Sequence, residues 1–208
     1  MLTIYHSPLS RSVRVLWLAE ELGLDYQIEQ LTLFSDAMQE PDYLAVHPLG
    51  KVPAVKDDGF VLWETTAIFD YLVSKYSDGA LIPPRDTASG AKVVQWINFA
   101  ENPLTIIVGE MVAHNGVLPP ERCIPALVER GQEMLPDLVA VVESELAQQF
   151  EAGSEFIVGN SFTAADIMLC FGLMIAQYLG CVNETTPHTQ AYCQRLLARD
   201  AYLRASQK

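Results

Sequence analysis

Residues 2–5 form a short apolar run of strand type. Residues 11–22 carry apolar positions on two faces of a helix, with Val13, Leu16 and Trp17 on one and Val15, Leu18 and Leu22 on the other. A helix of that kind packs between layers. Gly23 supplies a stop signal, and residues 26–33 alternate through Tyr26, Ile28 and Leu31, completing a strand-helix-strand unit long enough for a parallel pair. Residues 35–46 have weak helical character. Two short apolar runs, 52–56 and 60–63, surround Asp57-Asp58-Gly59 and predict an antiparallel hairpin. Helical spacing returns over 65–76, where Ile68, Tyr71 and Leu72 form a stripe.

The pattern then changes. Ser77-Asp78-Gly79 and Pro83-Pro84-Arg85-Asp86 flank a short apolar patch, and two adjacent prolines cannot continue a helix. No strand pattern follows. Residues 88–113, 124–150, 163–179 and 188–197 read as helices, and Pro136 predicts a kink or break in the second of them. The expected organisation is a βαβ-α-ββα domain over residues 1–77, a linker over 78–87 and an all-helical domain over 88–208.

Composition narrows the function. The 208 residues are 50% hydrophobic, enough for a substantial core, and a formal charge of −13 repels nucleic-acid backbones and anionic lipid. The expected partners are small molecules and proteins, with no nucleic acid and no membrane. No apolar stretch approaches the ~20 residues of a membrane span, and the N-terminal residues lack the pattern of a secretory signal, which predicts a cytoplasmic protein. Cys123, Cys170, Cys181 and Cys193 have no CxxC spacing and read as reduced thiols. His6, His114 and His188 have no metal-ligand spacing and read as surface or satisfied core groups, so no metal is expected.

Three segments carry candidate chemistry. In His47-Pro48-Leu49-Gly50-Lys51-Val52-Pro53, a cis Val52-Pro53 bond would turn the Val52 amide and carbonyl outward to pair with an extended ligand; a trans proline at a strand start is the plain alternative. Glu64-Thr65 opens the next helix. Its free amides and the Thr65 hydroxyl suit a carboxylate and Glu64 suits an ammonium group, unless either residue merely caps the helix. Thr163-Ala164-Ala165-Asp166 is a capping box with Phe162 and Ile167 as its staple, so Thr163 and Asp166 are assigned to stability.

These segments, in this order around a proline-rich linker, resemble the cytosolic glutathione transferase family over nearly the whole chain. IYHSPLSRSVRVLWLAEELGL is similar to the family's first strand and helix, HPLGKVP to its cis-proline loop and ETTAIFDYL to its γ-glutamyl site, with Thr65 standing where many members have Ser. The resemblance implies an α/β N-terminal thioredoxin-like domain plus an all-α C-terminal helical-bundle domain. It also implies glutathione as co-substrate, a small hydrophobic electrophile held in an apolar pocket near residues 96–111, and a homodimer. Lys51, Val52, Pro53, Glu64, Thr65 and Arg11 are the expected glutathione-binding residues, with Gln39 and His47 as further polar neighbours.

A free thiol has a pKa of about 8.5 and is mostly protonated at neutral pH. Lowering it by about two pH units takes roughly 2.7 kcal/mol of preference for the anion. A hydroxyl donor and the amides at the start of the first helix can supply this, with Arg11 or Arg14 adding field. The loop contains Tyr5, Ser7, Ser10 and Ser12 but no cysteine, so direct attack on a mixed disulfide by the protein is excluded there. Ser10 is the first candidate for the sulfur contact, and Ser7, Tyr5 or a backbone-only arrangement are the alternatives. Ser12 reads as a helix cap. The expected reaction is conjugation of glutathione or reduction of organic hydroperoxides. A non-catalytic glutathione-binding protein, or a disulfide reductase working between two glutathiones, is the alternative.

Overall fold

The computed structural model describes Met1–Lys208 as two units, one comprising Met1–Ile82 with Ala198–Lys208 and the other Pro83–Leu197. The first is the expected α/β domain. β1 (Leu2–His6) has strict alternation, with Leu2, Ile4 and His6 inward, and lies between β2 (Tyr26–Gln30) and β3 (Ala54–Asp57); β4 (Phe60–Trp63) completes the order β2-β1-β3-β4. β1 runs parallel to β2, with His6 opposite Gln30, and antiparallel to β3. The β3–β4 turn places Asp58 at φ 48° and Gly59 at φ 92°, two consecutive left-handed residues that match the twist of a tight hairpin.

α1 (Val13–Glu21) crosses between β1 and β2, and its run from Arg14 to Ala19 is buried without interruption, as expected for apolar residues on two faces. α2 (Pro41–Leu44) is one turn long. α3 (Thr65–Tyr76) packs on α1 and buries Ile68, Phe69, Leu72 and Val73. Its last turn is pinned to the sheet by Asp57, whose Oδ2 accepts from Lys75 Nζ at 2.6 Å, Tyr76 OH at 2.8 Å and Tyr71 OH at 2.9 Å.

The expected helical domain was bounded at 88–208, whereas Ala198–Lys208 clusters with the first unit. α9 (Asp200–Ala205) packs on α1. Arg199 grips Glu21 with both carboxylate oxygens at 2.7 and 2.8 Å, Arg204 meets Glu20 at 2.5 Å, and the Tyr202 ring stands edge-on to Trp17.

In the second unit, α4 (Ala88–Phe99) ends in a wide turn at Ala100–Thr105 before α5 (Ile106–Val112), so residues 88–113 do not form one helix. Asn102 is extended there and its bond to Pro103 is cis. The break expected at Pro136 does not occur. α6 (Pro125–Glu151) runs through it unbroken, because Gly131, Leu135, Val139, Val142 and Leu146 form one continuous buried face packed against α5 and against α8 (Pro187–Leu197). α7 (Ala164–Tyr178) is buried on almost every side, the mark of a core helix. A Cβ on Gly172 would stand 2.7 Å from Leu104, so the neighbouring chain passes closer there than a larger residue allows.

The capping box of α7 forms as expected. Asp166 accepts from the amides of Thr163 at 2.7 Å and Ile157 at 3.0 Å, from the Thr163 hydroxyl at 3.0 Å, and from Tyr192 OH of α8 at 2.8 Å. Replacing Asp166 with Ala strands these buried donors, so it lowers stability by roughly 2–4 kcal/mol, read as a drop in denaturant midpoint with an unchanged slope. Asp57 gives a pH signature. Burial pushes its carboxyl up, but the Lys75 ammonium and the Tyr76 and Tyr71 hydroxyls outweigh that and hold it below the usual aspartate value. The contribution is therefore complete above the unfolded-state value of about 3.9 and is lost as pH falls through the lower folded value. Acid titration of Asp57→Asn, followed by thermal unfolding, will show a shallower loss of stability below about pH 4 than the parent protein.

Candidate functional site

Strand register brings the three chemical segments to one end of the sheet. Tyr5, near the end of β1, lies opposite Ala54, the first residue of β3, and Ala54 lies opposite Trp63, the last residue of β4. The β1–α1 loop, the Val52-Pro53 bond and the Glu64-Thr65 helix start therefore meet there.

In the loop, most of the hydroxyl bonds centre on Ser12. Its Oγ lies 2.6 Å from Ser10 Oγ and 2.8 Å from His6 Nδ1, and accepts from the Ser7 amide at 3.1 Å. Ser10 Oγ also donates to the Ser7 carbonyl at 2.7 Å and accepts from the Ser12 amide at 3.2 Å. Ser12 stands at the N-cap position of α1 but makes no capping bond, so its reading as a cap is corrected: it ties the loop together from beneath. Ser7 enters through its backbone. Ser10 is the most exposed of the three serines at 9%, against 3% for Ser7 and none for Ser12. Beside it, Leu9 is left-handed at φ 58° and 93% exposed, a conformation uncommon for a γ-branched residue.

Tyr5 is turned away from this network, its ring 5.6 Å from that of Tyr43. Burial and the Glu29 carboxylate both raise its phenol pKa. The amides expected to face a ligand at the α1 start are engaged, Val13 N with Ser10 O and Arg14 N with Arg11 O, each at 3.2 Å. Arg11 is half-buried on this turn. Arg14 is fully buried and reaches α3, donating from Nη2 to Thr65 Oγ1 at 3.3 Å.

The start of α3 is open. Glu64 is its N-cap residue, yet neither it nor Thr65 closes the helix with a side-chain bond, and the first-turn amides have no intrahelical acceptor. Glu64 is exposed and held at φ 75°, ψ 118°, a backbone state that costs a non-glycine residue about 1–3 kcal/mol. The simple capping reading of Glu64-Thr65 does not hold.

The Val52-Pro53 bond is cis, and β3 begins only at Ala54. The Val52 amide and carbonyl take part in none of the sheet's ladders. Tyr43 OH donates to the Lys51 carbonyl at 2.6 Å and anchors the loop from behind, its phenol pushed well above the ordinary value by burial. Gly50 at φ 56° is required here, because a Cβ would lie 2.2 Å from the Met38 carbonyl oxygen and 2.4 Å from Gln39 Nε2. Gln39 thus lies beside Gly50, next to the exposed Lys51 in the chain. His47 is buried, accepts from the Leu49 amide at 3.2 Å, and is held below the usual imidazole value chiefly by burial.

Sequence reasoning gave His6 and Ser12 no part in this loop's network and gave Arg14 only a contribution to the field, not its bond to Thr65. The inward phase of His6 in the β1 alternation and the Ser-x-Ser spacing were the available signals; Arg14, two residues further on an otherwise apolar face, was the third. A surface depression of ≈ 460 Å³ lies between α1 and the C-terminal segment, lined by Glu20, Glu21, Arg199, Asp200 and Arg204, and belongs to the ion pairs that clasp α9.

A mixed four-stranded sheet with a cis-proline before its third strand and a hydroxyl-rich turn after its first defines a thioredoxin-like domain, here followed in the chain by helices. The chain belongs to the glutathione S-transferase family, its N-terminal domain matching over residues 1–74 and its C-terminal domain over 116–200. Glutathione S-transferase 3 of Zea mays is 34% identical over 209 residues, 97% of this chain and 91% of that protein. Glutathione S-transferase GstA of Escherichia coli O157:H7 is 31% identical over 183 residues, 86% of this chain and 84% of the relative. The crystal structure of the glutathione transferase URE2P6 from Phanerochaete chrysosporium, in complex with oxidized glutathione, superposes with a TM-score of 0.85 at 26% identity, over 99% of this chain and 94% of that one.

Proposed function

We propose that the first unit binds glutathione and that the protein is a glutathione transferase, joining the bound thiolate to a small hydrophobic electrophile or using it to reduce organic hydroperoxides. The observation that carries this reading is the convergence at one sheet end of two unsatisfied groups, the open α3 amides with Glu64 and the unpaired Val52 main chain, with the partly exposed Ser10 hydroxyl. They match a peptide with a free amino-acid head. The head carboxylate takes the α3 amides and Thr65, its ammonium takes Glu64, the cysteinyl unit pairs with Val52 like an added strand, and the sulfur lies toward Ser10. Lys51, with Gln39 beside it, faces the glycine carboxylate. Complexes of related proteins with glutathione support the ligand's identity.

The chemistry is a displacement or addition at sulfur. The thiolate lone pair forms the bond to the electrophilic carbon and the leaving group departs with its electron pair; with a hydroperoxide, sulfur attacks the terminal oxygen and the alcohol leaves. The loop's lack of a cysteine favours a ligand thiolate over a protein one. We assign the protein a homodimeric, cytoplasmic existence on family resemblance alone.

One observation favours the carrier alternative: the Ser10 hydroxyl already has an acceptor in Ser7 O. The thiolate absorbance band separates the two, since glutathione binding at neutral pH with no band means a carrier. Glu64→Ala removes the ammonium partner and will weaken glutathione binding about tenfold by calorimetry, corresponding to roughly 1.4 kcal/mol. Ser10→Ala will leave that affinity nearly unchanged and raise the bound thiol's pKa by about one, measured from the absorbance band. The opposite pattern, with Ser7→Ala raising the thiol pKa and Ser10→Ala silent, moves the sulfur contact to Ser7.

A further inference from the structure

The β1–α1 loop holds more hydrogen-bonding groups than one contact to sulfur requires. His6 Nδ1 lies 2.8 Å from Ser12 Oγ, which lies 2.6 Å from Ser10 Oγ, a continuous hydroxyl chain from the loop to the ring. With its single N–H on Nε2, a neutral imidazole presents Nδ1 as an acceptor to the Ser12 hydroxyl hydrogen. The Ser12 oxygen, already taking the Ser7 amide, then faces Ser10 Oγ as an acceptor. Each hydroxyl has a second acceptor in the Ser7 carbonyl, at 2.7 Å from Ser10 Oγ and 3.3 Å from Ser12 Oγ, so the inward arrangement is one rotation of the Ser10 hydrogen away from that carbonyl.

We propose that His6 is the proton acceptor of the site, receiving the proton of a bound thiol on Nδ1 through the hydroxyls of Ser10 and Ser12. This rests on the glutathione reading above. In the step, the S–H bond breaks and its proton joins Ser10 Oγ, the Ser10 hydrogen passes to Ser12 Oγ, and the Ser12 hydrogen passes to His6 Nδ1. No electrons leave the site. Afterwards every hydrogen points outward: Ser10 donates to the thiolate, Ser12 to Ser10, and the imidazolium to Ser12. The inward chain accepts a proton and the outward chain stabilises an anion, which a lone serine cannot do by turns.

The ring's neighbours are Gln30 across the pairing with β2, Ser7, Ser10 and Ser12 of the loop, and the main chain of Lys208, which raises the ring's pKa. Burial, opposed by the Lys208 carbonyl, holds the free ring below the ordinary imidazole value, so it is neutral and vacant at pH 7 before the ligand arrives. Ser12 and His6 act through Ser10 and are positioning and proton-holding residues.

The test counts protons. Glutathione is added to the full-length protein at pH 7 in dilute indicator buffer, the thiolate band is read in parallel, and the proton change with S-methylglutathione, which has no thiol, is subtracted. The parent protein will form thiolate while releasing well under one proton per thiolate, because the proton stays on His6. Ser12→Ala and His6→Asn, which break the chain or its base, will release about one proton for each thiolate they still form. Ser12→Ala leaves the ring in place, so a folding defect of the buried His6 variant does not decide the result. Release of one proton per thiolate by the parent protein, or equal release by parent and both variants, overturns the proposal. Binding heat without a thiolate band overturns it while leaving glutathione binding intact; absence of binding heat overturns the glutathione reading itself.

Discussion

The hydroxyl of Ser12 is the group on which the β1–α1 loop depends. Its oxygen gathers an amide, a serine hydroxyl and an imidazole in a space with no exposed surface. A buried polar atom that lost such partners would carry its full desolvation cost, about 1–3 kcal/mol, so the turn has little freedom to relax into another shape. That rigidity has a consequence one residue pair away. Ser10 is held within reach of solvent by bonds from below, and Leu9 is driven into a left-handed conformation with its side chain in water. The loop spends local strain on presenting one hydroxyl.

A second constraint couples that loop to the helix start across the sheet. Arg14 has no exposed surface and reaches from the first turn of α1 to the Thr65 hydroxyl, so the first turn of α1 and the start of α3 share a side chain. At the far end of α3, Asp57 pins the last turn to β3 through Lys75, Tyr71 and Tyr76. A helix held at both ends cannot slide along its axis. Its uncapped first turn, with Glu64 at positive φ, is therefore an open site in a rigid frame, which is the condition under which free amides keep a fixed direction.

What the sequence made legible follows the range of the interactions involved. β4 and α3 were read to the residue because a two-residue left-handed turn and a 3.6-residue stripe are local signals. The capping box of α7 was legible for the same reason, down to the Thr163–Asp166 exchange. The break expected at Pro136 does not occur because the packing that carries α6 through it comes from helices distant in sequence, and α9 was missed because its six residues hold too few apolar positions to show a period until Arg199, Tyr202 and Arg204 find α1. Of the two readings open for Val52-Pro53 the structure has the cis bond, and α3 begins at Glu64-Thr65 as its local stripe predicts. Ser12 was read as a cap, since a serine just before an apolar helix nearly always has that local use. Only the inward phase of His6, together with a carbonyl at the other end of the chain, gives that serine a different partner.

Charge sharpens the argument for oriented groups. A chain with a formal charge of −13 repels an anionic peptide at long range, and the Debye length of about 8 Å at physiological salt confines that repulsion to nearby charges. Close to the groove the cations are few and unequal: Lys51 is exposed, so its attraction is screened, while Arg14 is buried behind Thr65 and acts through that hydroxyl. Binding an anion here must rest on donors that are already pointed, because donors that have to turn toward a ligand give up part of their interaction to ordering. The groove meets that requirement with uncapped helix amides, a Val52 main chain outside the ladder, and a serine whose hydrogen has two acceptors waiting beneath it. A groove that relied on net attraction would need the opposite surface.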